Sequence, residues 1–419
     1  MATGYLEILR ARHALRLLTG TLVGRLPNAT AAIAMVLFVR AQGGTYSLAG
    51  ALAAVYGVAN AVGQPVLGRL VDLRGQPRVQ LPAAVLAALS MSVFAFCGID
   101  PLPLAYVSVA AAGLFTPPLE GGLRALWPSV VRGEEQVHTA YAMDAIAQEV
   151  MFTVGPLLVT LCVSLWDERA ALLVLNGLGV LGALSVVLSP PSRAWRSAPR
   201  EAHWLGALRS PGLLVLLGAF LFVGIALGSI TVASVSYADA HGGDAVYGWM
   251  MAGLGLGALV GGTAYGARRW AGAPERRLTF LVALLAVCYL PLTLQPDAVP
   301  MVLLTVVAGV FLAPCIACAF IVVDRHAPSG TVTEAFSWLV TTFTVGASVG
   351  TGLAGPVVQA GGTEWGFAVP GAAGAVSLLV LLATGRVLAA PAPGGVVAAS
   401  PENDPNRAVE PRFSSEDRA

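Results

Sequence analysis

The chain has 419 residues, of which 56% are hydrophobic and only 11% charged, with a mean hydropathy of +0.76. A soluble domain carries about 25% charged residues, so most of this chain cannot face water and a water-soluble globular protein is excluded. The net charge is +1 with no dense basic run, which gives no footing for a nucleic-acid partner.

Taken in chain order, apolar runs between charges and turn residues predict twelve spans: residues 17–39, 48–71, 79–98, 102–126, 139–165, 170–189, 211–237, 247–268, 278–295, 299–323, 333–358 and 365–388. Each approaches the roughly 20 residues that cross a bilayer as a helix. A backbone in lipid must satisfy its own hydrogen bonds, and barrel strands would be far shorter. The expected fold is therefore an all-α integral membrane protein of two six-helix bundles, residues 1–189 and 211–388. A cytoplasmic central loop, 190–210, joins them, and a Pro-, Ser- and acid-rich tail, 389–419, reads as disordered. The first apolar run lacks a small-residue cleavage site and is expected to stay as a span.

All 24 basic residues are arginine, which with abundant Ala, Gly and Val points to a GC-rich bacterial genome and a bacterial cytoplasmic membrane. Orientation follows from where the arginines fall. With the N-terminus inside, seventeen lie on the cytoplasmic side, leaving out the three in the tail, against Arg40 and Arg169 outside. Both termini are thus expected in the cytoplasm. Cys315 and Cys318 form a CxxC with no second pair or nearby histidine, so no metal or other cofactor is expected.

The halves echo one another. GRLVDLR from Gly68 and GTAYGAR from Gly262 follow the second span of each half at an offset of 194. Thr139 and Thr333 open the fifth spans at the same offset, and LFTPP and VFLAP place a Phe-x-x-Pro in the fourth spans at an offset of 196. A duplicated six-helix unit of the kind found in transporters follows.

The segment GRLVDLRGQPR resembles the signature between the second and third helices of major facilitator superfamily transporters, with Gly68, Leu70, Asp72 and Gly75 matching. Leu73 stands where arginine is usual, Gln76-Pro77 replace a basic pair, and Gly266 stands where the second half would carry the aspartate. The resemblance covers about Leu17 to Leu388 and implies that Asp72 and the glycines steady the closed cytoplasmic face. VGPLL from Val154 resembles the antiporter-linked fifth-helix motif through Gly155 and Pro156. GASVGTGLAGP from Gly346 is its small-residue counterpart in the second half. The resemblance further implies a cavity lined by the first, fourth, seventh and tenth helices, with Asn28, Phe115, Phe222, Ser229 and Phe311 as lining candidates.

Ionisable groups inside spans are costly and mark function by default. Here they are Arg25, Glu120, Arg124, Asp144 and Glu149, all in the first half. At about 1.5 Å per residue, Arg124 and Asp144 lie at similar shallow depth, Arg25 lies between Glu120 and Glu149, and Glu149 is deepest. Arg124–Asp144 and Arg25–Glu120 pairs are expected, leaving Glu149 over; a buried unpaired acid tends to hold a proton, so Glu149 is the expected proton carrier. Thr331-x-x-Glu334 reads as a capping box, and Asp324, Arg325 and His326 end the tenth span where water reaches them.

The reading is a secondary active transporter, expected to be a monomer, that exports a small amphipathic organic molecule against protons by alternating access. An importer of a sugar or organic acid is the alternative. A polytopic membrane enzyme would need a metal or nucleophile constellation, and the histidines are scattered with no HExxH. No GxxxxGK[ST] offers ATP drive, and no selectivity loop suggests a channel.

Overall fold

The structure is a computed structural model that describes residues 2–199, 203–268 and 270–389, without the side chains of residues 2–4, 46, 149, 152, 153 and 244. The expected disordered tail from residue 390, and Arg200 and Arg269, lie outside the described residues. A short helix α1 (Ala2–Arg10) precedes the first half, which comprises α2 (Ala14–Ala41), α3 (Tyr46–Arg74), α4 (Gln76–Cys97), α5 (Leu102–Leu114), α6 (Leu119–Val130), α7 (Gly133–Leu165) and α8 (Glu168–Val187). The central segment holds α9 (Pro190–Ala194) and a 3-10 turn (Gly206–Arg209). The second half comprises α10 (Pro211–His241), α11 (Asp244–Gly266), α12 (Pro274–Tyr289) with a 3-10 continuation (Leu290–Leu294), α13 (Ala298–Gly309), α14 (Leu312–His326), α15 (Val332–Gly361) and α16 (Thr363–Ala383), closed by the turn α17 (Gly385–Leu388).

These make twelve spans at the predicted places, the fourth and tenth each built from two helices. In the fourth, α5 ends before Phe115, and Pro117 and Pro118 cannot supply the N–H groups that would carry the ladder on. In the tenth, α13 stops at Gly309 and α14 resumes at Leu312, just ahead of Pro314. Local caps set other boundaries: Thr45 Oγ1 accepts from Leu48 N at 3.1 Å and Asp167 Oδ1 from Ala170 N at 2.6 Å, satisfying first-turn donors. Gly75 separates α3 from α4 at φ +83°, a backbone conformation that glycine adopts without steric cost.

Among the described residues, ten helical stretches are long and apolar enough to cross a membrane. The other two spans are α7, whose described apolar run is the shorter Val154–Leu165, and α15, diluted by Thr, Ser and Gly. At 33 and 30 residues both are still longer than the ~30 Å hydrocarbon core requires. Large apolar side chains such as Val58, Leu161, Phe280, Leu303 and Leu379 point outward, a surface suited to lipid. Exposed Trp166, Trp249 and Trp365 sit at span ends opposite the arginine-rich one, and Trp204 at the arginine-rich end, as aromatic belts do.

The duplication is visible in the packing. α2 lies on α8 as α10 lies on α16, and α3 on α5 as α11 on α13. A Cβ at Gly63 would overlap the Leu114 carbonyl, and one at Gly257 the Val306 carbonyl, so the second and fourth spans of each half approach through matched small residues. Gly346 and Gly350 of the second-half motif lie likewise against the α10 backbone at Leu221 and Ile225. The halves meet through α3 against α15 and α7 against α11. The central segment is more than a solvated link: Ala207 and Ser192 are fully buried, and Arg69 donates to the carbonyls of Trp204 and His203.

Candidate functional site

Four of the five charged groups expected inside spans form one ring. Arg25 Nη2 lies 2.8 Å from Glu120 Oε1 and its Nη1 3.5 Å from Asp144 Oδ1. Arg124 Nε lies 2.7 Å from Asp144 Oδ2 and its Nη2 3.4 Å from Glu120 Oε2. Both expected pairs form, and each cation also reaches the other acid. Two cations and two anions alternate, so the ring is neutral in itself, which is the condition under which charges are tolerated away from water. Helix spacing produces it: Glu120 and Arg124 are i,i+4 neighbours on α6, while α2 and α7 supply the other two members. Asp144 and Arg124 are 0% exposed, Arg25 7% and Glu120 13%, so Glu120 is the member most open to the space above. Glu149 belongs to α7, but its side chain lies outside the described residues.

Below the ring is a floor contributed by the other half. The Arg124 guanidinium carbon lies 3.6 Å from the centroid of Phe320 on α14 and 5.8 Å from that of Phe336 on α15. A cation–π contact there accounts for Arg124 Nη1, which is buried without a hydrogen-bond partner. Phe320, Phe336 and Tyr141 of α7 stand in mutual contact at 5.9–6.1 Å between centroids. None of these aromatics stood out in the sequence.

Above the ring lies a cavity of about 120 Å³ lined by Arg25, Asn28, Asn60, Gln64, Glu120, Gln148, Thr341 and Thr344, with Ala29, Ala61, Met151 and Val340 forming an apolar wall. The amides are chained: Asn60 Nδ2 donates to Asn28 Oδ1 at 3.0 Å and Gln64 Nε2 to Asn60 Oδ1 at 3.3 Å. Arg124 Nη2 donates to Gln148 Oε1 at 3.4 Å, joining this layer to the ring. Of the expected lining residues, Asn28 lines the cavity. Ser229 is buried and donates to the Ile225 and Ala226 carbonyls, Phe222 and Phe311 pack partly buried against the core, and Phe115 sits at the break after α5. The amides Asn60, Gln64 and Gln148 were legible in principle, since polar side chains in spans are expensive.

The hydrogen bonds between the halves gather toward the arginine-rich end. Asp72 Oδ1 and Oδ2 accept from Thr333 N at 3.1 Å and Glu334 N at 2.9 Å, the first turn of α15. This corrects the expected capping box: the Thr331 hydroxyl donates to the Pro328 carbonyl at 2.7 Å, and the carboxylate of the opposite half caps the helix. Gly68 lets α3 close on Ser337. Gln76, where a basic residue is usual, is fully buried, donating to the Gly122 carbonyl and accepting from Ser192 Oγ, 2.8 Å each. Gly155 packs against Thr30 of α2, and Pro156 lies within α7. At the matching interface Tyr5 of α1 donates to the carbonyls of Gly262 and Thr263, 3.2 and 3.3 Å away, and Thr139 Oγ1 donates to that of Gly266 at 3.2 Å. His326, expected in water, is 1% exposed beside Glu275, whereas Arg325 is exposed. Gly346–Gly350 spells G-x-S-x-G, but it lies inside α15 with Ser348 Oγ donating to the Thr344 carbonyl. It makes no strand-to-helix elbow that would present a nucleophile.

Residues 17–303 match the family described as Major Facilitator Superfamily. No curated protein matches the chain by sequence. Among solved structures, the chain is similar to a bacterial homologue of the iron transporter ferroportin in an outward-facing state, at 14% identity and a TM-score of 0.70, covering 89% of this chain and 99% of that one. It is also similar to the human organic anion transporter MFSD10 (TETRAN), at 18% identity and 0.65 over 87% and 99%. The E. coli fucose:proton symporter FucP gives 16% identity and 0.65 over 88% and 97%. Likenesses at such identity speak to the fold, and with the twelve spans, the duplicated halves and the family match they lead to one conclusion: this chain belongs to the Major Facilitator Superfamily and is a multi-pass membrane transporter.

Proposed function

We propose that the chain is a proton-coupled exporter of a small amphipathic organic molecule, working by alternating access as a monomer in the bacterial cytoplasmic membrane with both termini inside. The observation that carries this reading is the neutral charge ring, whose member most open to the cavity is Glu120. With the arginine-rich end inside, the aromatic floor and Asp72 close the cytoplasmic face beneath the cavity. A proton arriving from outside then meets Glu120, and neutralising it leaves two guanidinium groups facing Asp144 alone. That surplus of positive charge above the floor favours the other state. Glu149, the carrier expected from the sequence, stays a proposed proton carrier beside Glu120, since the ring is balanced within itself. The chained amides opposite Met151 and Val340 offer a polar and an apolar wall, which suits an amphipathic solute. The same amides favour the second reading, an importer of a sugar or organic acid.

Two measurements test this. In proteoliposomes with an imposed pH gradient, Glu120→Gln and Glu149→Gln should keep substrate binding, and whichever carries the proton should lose gradient-driven transport. Full pH-driven transport by both variants would overturn the coupling. In intact cells with Cys97→Ser, Ala198→Cys and Ala245→Cys should differ in labelling by an impermeant thiol reagent, Ala245→Cys reacting and Ala198→Cys not. The reverse pattern would invert the topology and with it the direction.

A further inference from the structure

Asp72 and Gly266 occupy equivalent places in the two halves, 194 residues apart. At the first, a carboxylate reaches across to α15; at the second there is no side chain. A Cβ at Gly266 would overlap the hydroxyl of Tyr5 and crowd Ala142, so the volume an aspartate would enter is already filled by a residue from outside the duplicated unit. We propose that Tyr5 takes over at the α7–α11 interface the part that Asp72 has at the α3–α15 interface, and that α1 thereby holds the arginine-rich end shut.

Three observations support this. The Tyr5 O–H is shared between two α11 carbonyls, those of Gly262 and Thr263, so the contact crosses from one half to the other. The helix that presents it is anchored in the first half: Ile8 is fully buried, Leu9 packs against the same core, and α1 rests on α7 and α2. A latch needs that combination, a base fixed to one body and a tip on the other. Finally, burial pushes the Tyr5 phenol up to about 12, so the group remains a neutral donor across the physiological range. Gly262 permits the contact by letting α11 close on Ile146 of α7.

The proposal rests on the alternating-access reading, but its test needs no substrate. Hydrogen exchange would be followed on the purified full-length protein in lipid nanodiscs, over the start of α7 and the end of α11. One net hydrogen bond is lost in Tyr5→Phe, so exchange in both segments should rise about fivefold, with a smaller change where α3 meets α15. Leu6→Ala alters a neighbouring, exposed residue of α1 and should leave exchange at the wild-type rate. Tyr5→Phe exchange equal to wild type, or an equal rise in Leu6→Ala, would overturn the proposal, the second by showing that helix docking and not the hydroxyl holds the face. Transport assays report separately: failure to move solute counts against the export reading and leaves the exchange result standing.

Discussion

The two places where the halves meet at the arginine-rich end were built from one ancestral unit, yet they are held by different chemistry. Where α3 meets α15, a carboxylate caps a helix N-terminus, so the contact has charge, direction and the helix dipole behind it. Where α7 meets α11, close approach at Gly262 is retained, but the contacts are neutral hydroxyls on carbonyls: Thr139 on Gly266, and the Tyr5 phenol, supplied by a helix that precedes the repeat, on Gly262 and Thr263. Duplication preserved the shape of the interface, which small residues fix through backbone contact. It did not preserve the polar group, which can be replaced by anything that reaches. A closed face with one strong and one weak seam is expected to part first at the weak one.

The largest expected effect bears on both seams at once. Asp144 accepts from Arg124 and Arg25 beneath the cavity, so Asp144→Asn leaves two buried cations sharing Glu120 alone, one positive charge uncompensated, a loss of about 3–5 kcal/mol. Expression and thermal stability should fall sharply; a stable, fully active Asp144→Asn would mean that the ring is dispensable. Next comes the α3–α15 seam alone. Asp72→Asn weakens two charge-assisted hydrogen bonds, about 1.5–3 kcal/mol, and should speed exchange at the start of α15 at least tenfold and slow transport without preventing insertion. If it does no more than Tyr5→Phe, the two seams are equal in strength. A third variant attempts to restore the lost symmetry. Gly266→Asp should destabilise the closed face because Tyr5 occupies the space, and adding Tyr5→Ala should recover about 1 kcal/mol of that loss; strict additivity would place Tyr5 elsewhere. The smallest effect is an expected absence. The Tyr5 phenol is raised from 10.0 to about 12, so its contribution is fully present below pH 10 and is lost only as pH climbs through the higher value. After correction for intrinsic exchange, the difference between wild type and Tyr5→Phe should stay constant between about pH 6 and 9.

How much of this could be read in advance depends on the kind of signal. All twelve spans were legible because apolar length against a bilayer is a one-dimensional property, but the fourth and tenth read as unbroken although Phe115-x-x-Pro118 and Phe311-x-x-Pro314 sit at their breaks. Helical rise alone brought Arg25, Glu120, Arg124 and Asp144 to neighbouring depths. It did not reveal that each cation touches both acids, since depth carries no information about azimuth. Phe320 and Phe336 were hidden for a different reason: an aromatic residue in an apolar helix looks the same whether it faces lipid, core or a guanidinium. Thr331-x-x-Glu334 misled because a local capping box and a cap supplied from another helix leave the same sequence, Glu334 in either case opening α15. Tyr5 was invisible because its partner lies 257 residues away in a unit to which it does not belong.

The interrupted fourth and tenth spans carry a mechanical consequence. Glu120 and Arg124 ride on α6, and Phe320 rides on α14, each the lower segment of a span jointed at mid-membrane. Those segments have elbows of their own, so the floor can be drawn apart by swinging two short rods while α5 and α13 stay seated against α3 and α11. Separation of the Arg124–Phe320 stack can therefore draw on these two joints as well as on movement of the halves.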